Sequence, residues 1–356
     1  MIQKTMNAAQ AIAVSELRKI KCVVWDLDNT LWIGTLLENE QVRLNESAAA
    51  VVKVLDSRGI LNSIASKNDH DRAMNQLKRF GLAEYFLYPQ IGWNPKSASI
   101  KRIAQEINIG SDTLALVDDQ PFELEEVRFA LPEVLCIDVK SLGLIPNLPE
   151  MNPVFVTEDS GLRRKLYLYD QQRRRAEKSF QGTSEEFLAT LRMRLRISLA
   201  VEDDLRRAEE LTARTHQLNS TGYTYTYDEL KRFSESKGHL LLIAELNDTF
   251  GEYGTIGLAL AETSSNLWTI KLLLMSCRVV SRGIGTIMLS HIMQEANRRG
   301  VKLRAEFVHN GRNRMMYVTY KFAGFRTISE NGSAQLLETD LQHIQEFPNY
   351  IEVITR

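Results

Sequence analysis

The chain has 356 residues, of which 44% are hydrophobic and 25% charged, and its formal net charge is −1. These values indicate a globular protein of about two domains and give no sign of a nucleic-acid or anionic-membrane partner. No run of about 18 apolar residues is present, and the opening residues lack the apolar core of a signal peptide, so we expect a cytoplasmic protein. Three cysteines, Cys22, Cys136 and Cys277, form neither a zinc pattern nor a disulfide framework.

The first predicted strand ends in two carboxylates. The apolar run 23–25 leads to Asp26 and Asp28, which stand two residues apart beside a short polar turn. Side chains two residues apart on a strand lie on the same face. At the end of the strand, the conformation of the turn determines the direction in which they point. Nearby carboxylates suit a hard divalent cation such as Mg²⁺. They also suit phosphoryl transfer, in which one carboxylate attacks phosphorus and the other handles the proton.

Three further predicted elements carry polar side chains at their ends. Strands and helices alternate from about residue 19 to 139, which predicts a doubly wound parallel sheet. Such a sheet brings its strand ends together at the carboxyl edge, where these folds place their sites. A proline at a helix start with a cation beside it offers a positive site for a phosphoryl oxygen. The residues are Ser66 and nearby Asn68 after the second strand, Lys96 after Pro95 at a helix start, and Asp118 and Asp119 after a later strand.

In this order, the D-x-D-x-T run at 26–30, Ser66, Lys96 and the Asp118–Asp119 pair resemble the four motifs of the haloacid dehalogenase (HAD) superfamily. The resemblance implies that Asp26 is the phosphoryl-accepting nucleophile and Asp28 the general acid/base. It also implies that Ser66 and Lys96 bind phosphate, and we place Asn68 with them. Mg²⁺ would be held by Asp26, by the backbone carbonyl of Asp28, and by Asp118 or Asp119; the sequence does not distinguish the last two.

The connections around these motifs are short. Only about 30 residues separate Asp28 from the second strand, and a similar number separate Ser66 from Lys96, too few for another domain. We therefore expect little or no cap over the site. An open site favours a substrate presented by a macromolecule, or a site shared with a second domain.

A proline-rich break ends the first domain, predicted to span residues 1–145. Pro146, Pro149 and Pro153 fall close together there. Residues 146–190 are a predicted linker that contains a polar helix at 160–179, with seven basic residues between positions 163 and 178. Two interpretations stay open: a solvated interdomain helix, or a docking face for an acidic partner such as an acyl carrier protein.

The second predicted domain, residues 191–356, has a different pattern. A predicted strand is followed by a turn containing Gly283 and Gly285 and then by a helix, a natural cradle for a diphosphate. Together with the run from Asn313 to Phe325, this pattern resembles the GNAT acyltransferases and implies a GNAT-like α+β domain. Val280 stands where that family has Arg or Gln, which argues against a standard acetyltransferase. The predicted strands are 239–247, 251–262, 267–278 and 302–309.

The stretches 214–221 and 274–279 resemble the FkbH-like family, in which a HAD domain is joined to a GNAT-like domain. The resemblance implies a glyceryl-acyl carrier protein synthase of polyketide pathways. Its donor would be D-1,3-bisphosphoglycerate, the acyl group would pass through an enzyme cysteine, and the acceptor would be the phosphopantetheine thiol of an acyl carrier protein. Two positions depart from the expected pattern: Ile33 stands where we expect Gly, and His216 where we expect Asn.

The acyl-bearing cysteine is chosen on physical grounds. Cys22 and Cys136 lie in apolar runs, so both are expected in the core. Cys277 follows a strand, beside Arg278 and just before the Gly-rich helix start, and both neighbours favour a reactive thiolate. We therefore predict Cys277 as the nucleophile. The substrate-binding residues placed near it are Arg278, Gly283 and Gly285, and the candidate bases are His309 and His216.

Three other functions remain open. One is a stand-alone Mg²⁺-dependent phosphatase with a GNAT-like accessory domain, which needs only Asp26. Another is an N-acyltransferase with an inactive HAD domain, which needs only coenzyme A binding. The last is a non-catalytic module that binds carrier proteins. The synthase needs both Asp26 and Cys277.

Overall fold

The computed structural model describes residues 20–38, 41–153, 156, 158–215 and 217–355. The chain divides into two compact units, Met1–Leu168 and Tyr169–Arg356. Each unit is built on its own main sheet and has its own hydrophobic core. No helix in the described ranges combines the length and the apolar character that a membrane crossing requires.

The first unit contains a five-stranded parallel sheet and a short antiparallel hairpin. Its strands are β1 (Cys22–Trp25), β2 (Trp32–Ile33), β3 (Arg43–Leu44), β4 (Leu61–Ser66), β5 (Gln90–Ile91), β6 (Leu114–Asp118) and β7 (Leu135–Asp138). The sheet order is β5-β4-β1-β6-β7, and β2 pairs with β3. Side chains of β1 alternate between two cores: Val23 and Trp25 enter one, Cys22 and Val24 the other. Burial on both faces explains why this strand is apolar throughout.

Four helices surround this sheet: α1 (Glu46–Ser57), α2 (His70–Arg79), α3 (Lys96–Ile107) and α4 (Pro121–Ala130). Only the β2–β3 hairpin and α1 separate β1 from β4. The connection from β4 to α3 contains α2, one 3₁₀ turn and β5. In the described part of both connections there is no inserted domain. The predicted doubly wound parallel sheet with little or no cap is confirmed.

The predicted polar helix is present as α5 (Glu158–Ser179), and several of its basic side chains have partners within the chain. The guanidinium of Arg163 donates to the Gly59 carbonyl at 2.8 Å, and Arg164 pairs with Asp56 at 3.0 Å. Further along, Arg174 pairs with Asp170. These partners offset part of the positive charge of the helix within the chain, and the two interpretations of its exposed face stay predictions.

In the second unit, Arg173 is the most deeply buried of these arginines. It makes two hydrogen bonds to Asp248, at 2.7 and 3.0 Å, and its guanidinium lies 3.6 Å from the ring centroid of Tyr253. The hydroxyl of Tyr253 donates to the same carboxylate at 2.9 Å. With its hydrogen bonds satisfied, this buried ion pair fixes the second half of α5 against the sheet.

The second unit is an eight-stranded, mostly antiparallel sheet with helices. The order is β13-β14-β12-β11-β10-β9-β8-β15. The predicted hairpin is present as β9 and β10, and the predicted α+β architecture is confirmed. The strands are β8 (Met193–Leu199), β9 (His239–Asp248), β10 (Gly251–Thr263), β11 (Leu267–Met275), β12 (Lys302–Val308), β13 (Arg326–Asn331), β14 (Ala334–Thr339) and β15 (Ile351–Thr355). The helices are α6 (Ser184–Thr190), α7 (Glu202–Arg214), α8 (Tyr227–Glu235), α9 (Ile284–Arg298) and α10 (Arg314–Phe322).

Candidate functional site

In the first unit the polar strand ends meet around Asp26. Strand β1 lies between β4 and β6, and the amide of Asp26 donates to the Val117 carbonyl at 2.9 Å. Ser66 and Asp118 end those flanking strands, so the parallel register brings both beside Asp26. All three side chains are buried; burial raises the pKa of Asp26, and the nearby Ser66 hydroxyl opposes that shift.

Lys96, the first residue of α3, connects the two buried carboxylates. Its Nζ donates to Asp26 Oδ1 at 2.6 Å and makes a short hydrogen bond to Asp118. Burial alone would lower the pKa of Lys96, but Asp26 and Asp118 outweigh it, so the pKa lies above its usual value. The ammonium therefore stays charged and can face the oxygen of a phosphoryl group.

Burial raises the pKa of Asp26; Lys96 opposes this shift, and Asp118 adds to it. Burial and the neighbouring Asp118 likewise raise the pKa of Asp119. The common cause is a desolvated pocket in which carboxylates outnumber the one ammonium that bridges them. A divalent cation would relieve this imbalance.

The residues present fit such a cation. Asp26, Asp118 and Asp119 each offer a carboxylate oxygen, and these oxygens lie within 4.8 Å of one another. Asp119 Oδ1 is buried and accepts no hydrogen bond from the described residues, so it is free to act as a ligand. Oxygen donors of this kind suit Mg²⁺. Both candidate aspartates after β6 thus belong to the cluster.

Asp28 is held outside this cluster. Its Oδ1 accepts from Trp32 Nε1 at 2.7 Å and from the Leu36 amide at 3.1 Å, and its Oδ2 accepts from Asn68 Nδ2 at 3.1 Å. These donors orient a carboxylate two residues beyond Asp26. Asn68 therefore positions Asp28 in this structure, and its phosphate-binding role stays a prediction, as does the role of the Asp28 backbone carbonyl in holding metal.

Sequence reasoning missed Glu123, which completes the charged network. Its Oε1 lies 2.6 Å from Lys67 Nζ, and its Oε2 lies 3.4 Å from Lys96 Nζ. Glu123 is in the first turn of α4, close behind the Asp118–Asp119 pair. An acid in a first turn usually interacts only with the helix dipole, so the position gave no specific signal. The Trp32 contact to Asp28 was missed as well.

In the second unit, Cys277 follows β11 and begins a 3₁₀ helix, Cys277–Arg282. The thiol is half-buried and makes no hydrogen bond to a described residue. His309 follows β12, where its Nδ1 accepts from the Gly311 amide at 3.3 Å, and no hydrogen bond between described residues joins it to Cys277. His216, the other candidate base, lies outside the described residues. The base for Cys277 stays a prediction.

The other two cysteines differ from each other. Cys22 is fully buried, as expected, and burial raises the pKa of its thiol far above the usual value. Cys136 is only half-buried, which corrects the expectation that it lies in the core. The reason is that its strand, β7, is an edge strand of the sheet.

A segment of chain fills a split beside Cys277. The parallel strands β11 and β12 pair only as far as Ile270 and Ala305. Beyond that point the segment 218–221 lies between them: the Ser220 amide donates to the Leu273 carbonyl at 3.0 Å, and the Val308 amide donates to the Ser220 carbonyl at 3.0 Å. The segment therefore lies beside the end of β11, the strand that Cys277 follows.

Two glycines stand at the start of α9, where only Gly283 has a left-handed backbone conformation. Gly283 has a φ of 73°, and a Cβ there would lie 2.7 Å from the Tyr350 hydroxyl. A Cβ on Gly285 would collide with Met275. Just before the turn, Arg282 is buried, and its Nε and Nη1 have no hydrogen-bond partner among the described residues. Arg278 donates from its backbone and its side chain to the Ser276 hydroxyl. The binding roles predicted for Arg278, Gly283 and Gly285 stay predictions.

No protein-family model matches the chain, and no curated protein matches it. Among solved structures it is similar to the N-terminal part of BF1531 from Bacteroides fragilis, described as containing a phosphatase domain complexed with Mg (28% identity, TM-score 0.33). That match covers 44% of this chain and 41% of the BF1531 structure.

Two N-acetyltransferases are also similar to part of the chain. The ribosomal-protein-S18-alanine N-acetyltransferase from Escherichia coli has 16% identity and a TM-score of 0.34, and the match covers 43% of this chain and 97% of that one. The PaiA N-acetyltransferase from Thermoplasma acidophilum, in complex with coenzyme A, has 17% identity and a TM-score of 0.33. That match covers 41% of this chain and 98% of the PaiA chain. Strand order and register within the chain itself define both folds.

Proposed function

We propose that this protein is a Mg²⁺-dependent enzyme that loads a glyceryl unit from D-1,3-bisphosphoglycerate onto an acyl carrier protein. One observation carries the phosphoryl-transfer part: Asp26, Lys96 and the Asp118–Asp119 pair lie together at one sheet edge. The acyl-transfer part is supported by the position of Cys277 after β11 and by the resemblance to the FkbH-like family.

At the first site the chain's own residues can cleave a phosphate ester. The Asp26 carboxylate attacks phosphorus, the bond from phosphorus to the ester oxygen breaks, and Asp28 gives a proton to the departing oxygen. Water then attacks the aspartyl phosphate, Asp28 takes its proton, and inorganic phosphate leaves. Lys96 and Ser66 stabilise the phosphoryl oxygens. When bound to Asp26, Asp118 and Asp119, Mg²⁺ would supply further charge neutralisation.

At the second site the Cys277 thiolate would attack the acyl phosphate carbonyl. The bond from carbon to the phosphate oxygen breaks, phosphate leaves, and a thioester to Cys277 forms. The phosphate on the other end of the glyceryl unit is removed by the chemistry of Asp26. The phosphopantetheine thiol of the carrier then attacks the thioester, the acyl group moves to the carrier, and the Cys277 thiolate is released.

The alternative is a Mg²⁺-dependent phosphatase whose GNAT-like unit has no part in the chemistry. One observation favours it: every side chain of the charged network described above, from Asp26 to Glu123, belongs to the first unit. Phosphate release therefore needs no residue of the second unit.

The deciding experiment is intact-protein mass spectrometry of the enzyme and a phosphopantetheinylated acyl carrier protein, with Mg²⁺ and enzymatically generated 1,3-bisphosphoglycerate. We expect a glyceryl-sized mass gain on Cys277 and on the carrier. Cys277→Ala should lose the adduct, whereas the matched thiol control Cys136→Ala should keep it. Asp26→Asn should form an adduct that still carries phosphate. If the wild type releases phosphate from small phosphoesters but never forms an adduct, the phosphatase alternative is correct.

A further inference from the structure

Helix α10 and its flanks carry positive charges that form no ion pair with a described acidic residue. No acidic residue occurs between positions 307 and 329. Arg312, Arg314, Lys321 and Arg326 are all exposed, and within the described part of the chain none of them is in an ion pair. By contrast, Arg304 on the neighbouring strand β12 pairs with Glu338 at 2.7 Å. Four cations without an ion pair to a described residue thus lie on and beside α10, with no acidic residue between them in the sequence.

The helical repeat places these cations on one face. Met316 and Tyr320 are fully buried and hold α10 against the unit. Arg314, Val318 and Lys321 follow the i, i+4, i+7 spacing, so they share the outer face. The α10 face is defined here as these three residues together with Arg312, Met315, Phe322 and Arg326.

Large apolar side chains lie among these cations. Phe322 is 78% exposed and Met315 is 54% exposed. Single exposed apolar residues are common, but arginine, methionine and aromatic side chains on one surface are the composition enriched at protein interfaces. A surface made only of lysine and arginine would suit a polyanion; this mixture favours a protein.

The α10 face is also concave. A shallow cavity of about 390 Å³ is lined by Arg314, Tyr317, Val318, Lys321 and Phe322. A second, of about 310 Å³, shares Lys321 and is lined further by Arg326 and His343, with Asp340 as the one acid among the residues that line either. Two adjoining concavities that share a lysine can receive the side chains of a partner's acidic helix.

We propose that the α10 face docks the acidic surface of the acyl carrier protein, an inference that rests on the proposed function. Charge complementarity supports it: Arg164, Arg173 and Arg174 of α5, one of the two interpretations of which was a docking face, are in ion pairs. In the described part of the chain, the arginines of the α10 face are in none. Complementary charge steers the encounter and fixes its orientation.

The test is the double charge reversal Arg314→Glu/Lys321→Glu. The matched control is Arg175→Glu/Lys178→Glu, which reverses two exposed cations of α5 in the same unit.

Binding of a phosphopantetheinylated carrier protein is measured by calorimetry at two salt concentrations, and glyceryl transfer is measured to the carrier and to free pantetheine. We expect the α10 variant to bind the carrier at least ~10-fold more weakly and to lose the salt dependence. Transfer to pantetheine should be unchanged, and the control should match the wild type.

Each other result has a distinct meaning. If the variant binds and loads the carrier like the wild type, the docking surface is wrong and the proposed function stands. If the wild type acylates neither the carrier nor pantetheine, the proposed function fails, and the docking proposal fails with it. If the double reversal weakens binding to phosphatidylserine vesicles or to duplex DNA but not to the carrier, the partner is not a protein. Phe322→Ala, a change at an exposed site, should weaken carrier binding without altering thermal stability.

Discussion

The two candidate reaction centres differ in how completely the fold assembles them. In the first unit, Asp26, Lys96 and Asp118 are joined by direct hydrogen bonds. In the second, Cys277 and His309 follow neighbouring strands, yet no hydrogen bond between described residues connects them. The first centre is a preorganised charged site, whereas in the second no described residue makes a hydrogen bond to the thiol.

The difference follows from the two sheets. The continuous ladders of a parallel sheet force the ends of β4, β1 and β6 to one edge, so three strand ends fix three side chains. In the second unit, β11 and β12 stop pairing before they end, and an inserted segment separates them. Register therefore determines the first centre but does not determine the second.

The largest effect should come from the nucleophile of the first centre. Asp26→Asn keeps the size of the side chain but removes the attacking charge, so we expect phosphate release to fall by at least ~10³-fold. The measurement is steady-state hydrolysis of a small phosphomonoester with Mg²⁺. Asp71→Asn, at an exposed position of the same unit, is the control and should be neutral. Activity above a tenth of the wild type would exclude Asp26 as nucleophile.

Metal removal should give the next largest effect. Chelation with EDTA should abolish phosphate release, and Mg²⁺ at about 100 times its Kd should raise the unfolding free energy of the first unit by about 2.7 kcal/mol. Asp119→Asn should remove most of that stabilisation because it takes away a buried ligand oxygen. Glu46→Gln, an exposed change, should keep it. Equal stabilisation of both variants in thermal melts would show that Asp119 is not a ligand.

The second centre depends on Asn313, which ties the inserted segment in place. Its Nδ2 donates to the carbonyls of Asn219 at 3.0 Å and Val308 at 2.8 Å. Asn313→Ala leaves buried carbonyls without a donor, so we expect the free energy of unfolding to fall by about 2 kcal/mol. Hydrogen-exchange mass spectrometry should show the loss as faster exchange in 217–222 and β12. Asn297→Ala on the surface of α9 should leave exchange unchanged; similar exchange in both variants would contradict the role of Asn313.

The strand pattern predicted the fold well because apolar runs and polar strand ends are local signals. Asp26, Ser66 and Asp118 could be placed together since parallel strands leave little freedom in where their ends meet. The partners of the arginines on α5 could not be predicted. Arg163 and Gly59 are 104 residues apart, and Arg173 and Asp248 are 75 apart, so spacing along the helix holds no information about them.

Residues that were missed also make contacts with partners far away in the sequence, which leave no local signal. Glu123 contacts Lys67 across 56 residues of sequence, and nothing local distinguishes it from an ordinary first-turn acid. The segment between β11 and β12 could not be foreseen either, because a predicted parallel pair is expected to stay paired to its end. Cys136 was placed in the core because its run is apolar, but edge position depends on strand order.

The smallest effect should come from Trp32, whose indole orients Asp28. Trp32→Phe removes the donor to Asp28 Oδ1 but leaves the Leu36 amide and Asn68 in place, so we expect kcat for phosphate release to fall about 10-fold, the equivalent of one hydrogen bond to a charged group. Because a positioning residue acts through Asp28, the pH dependence of kcat should change as well.

The matched control is Trp25→Phe, which removes a comparable buried indole hydrogen bond, to Asn62 at 2.9 Å, away from Asp28. It should lower the thermal midpoint and leave the pH profile of kcat as in the wild type. If both variants lower kcat equally with unchanged pH profiles, Trp32 acts only through stability. In that case the hydrogen bonds around Asp28 do not prepare it for catalysis. Only the Asp26–Lys96–Asp118 cluster would then distinguish the first centre from the second.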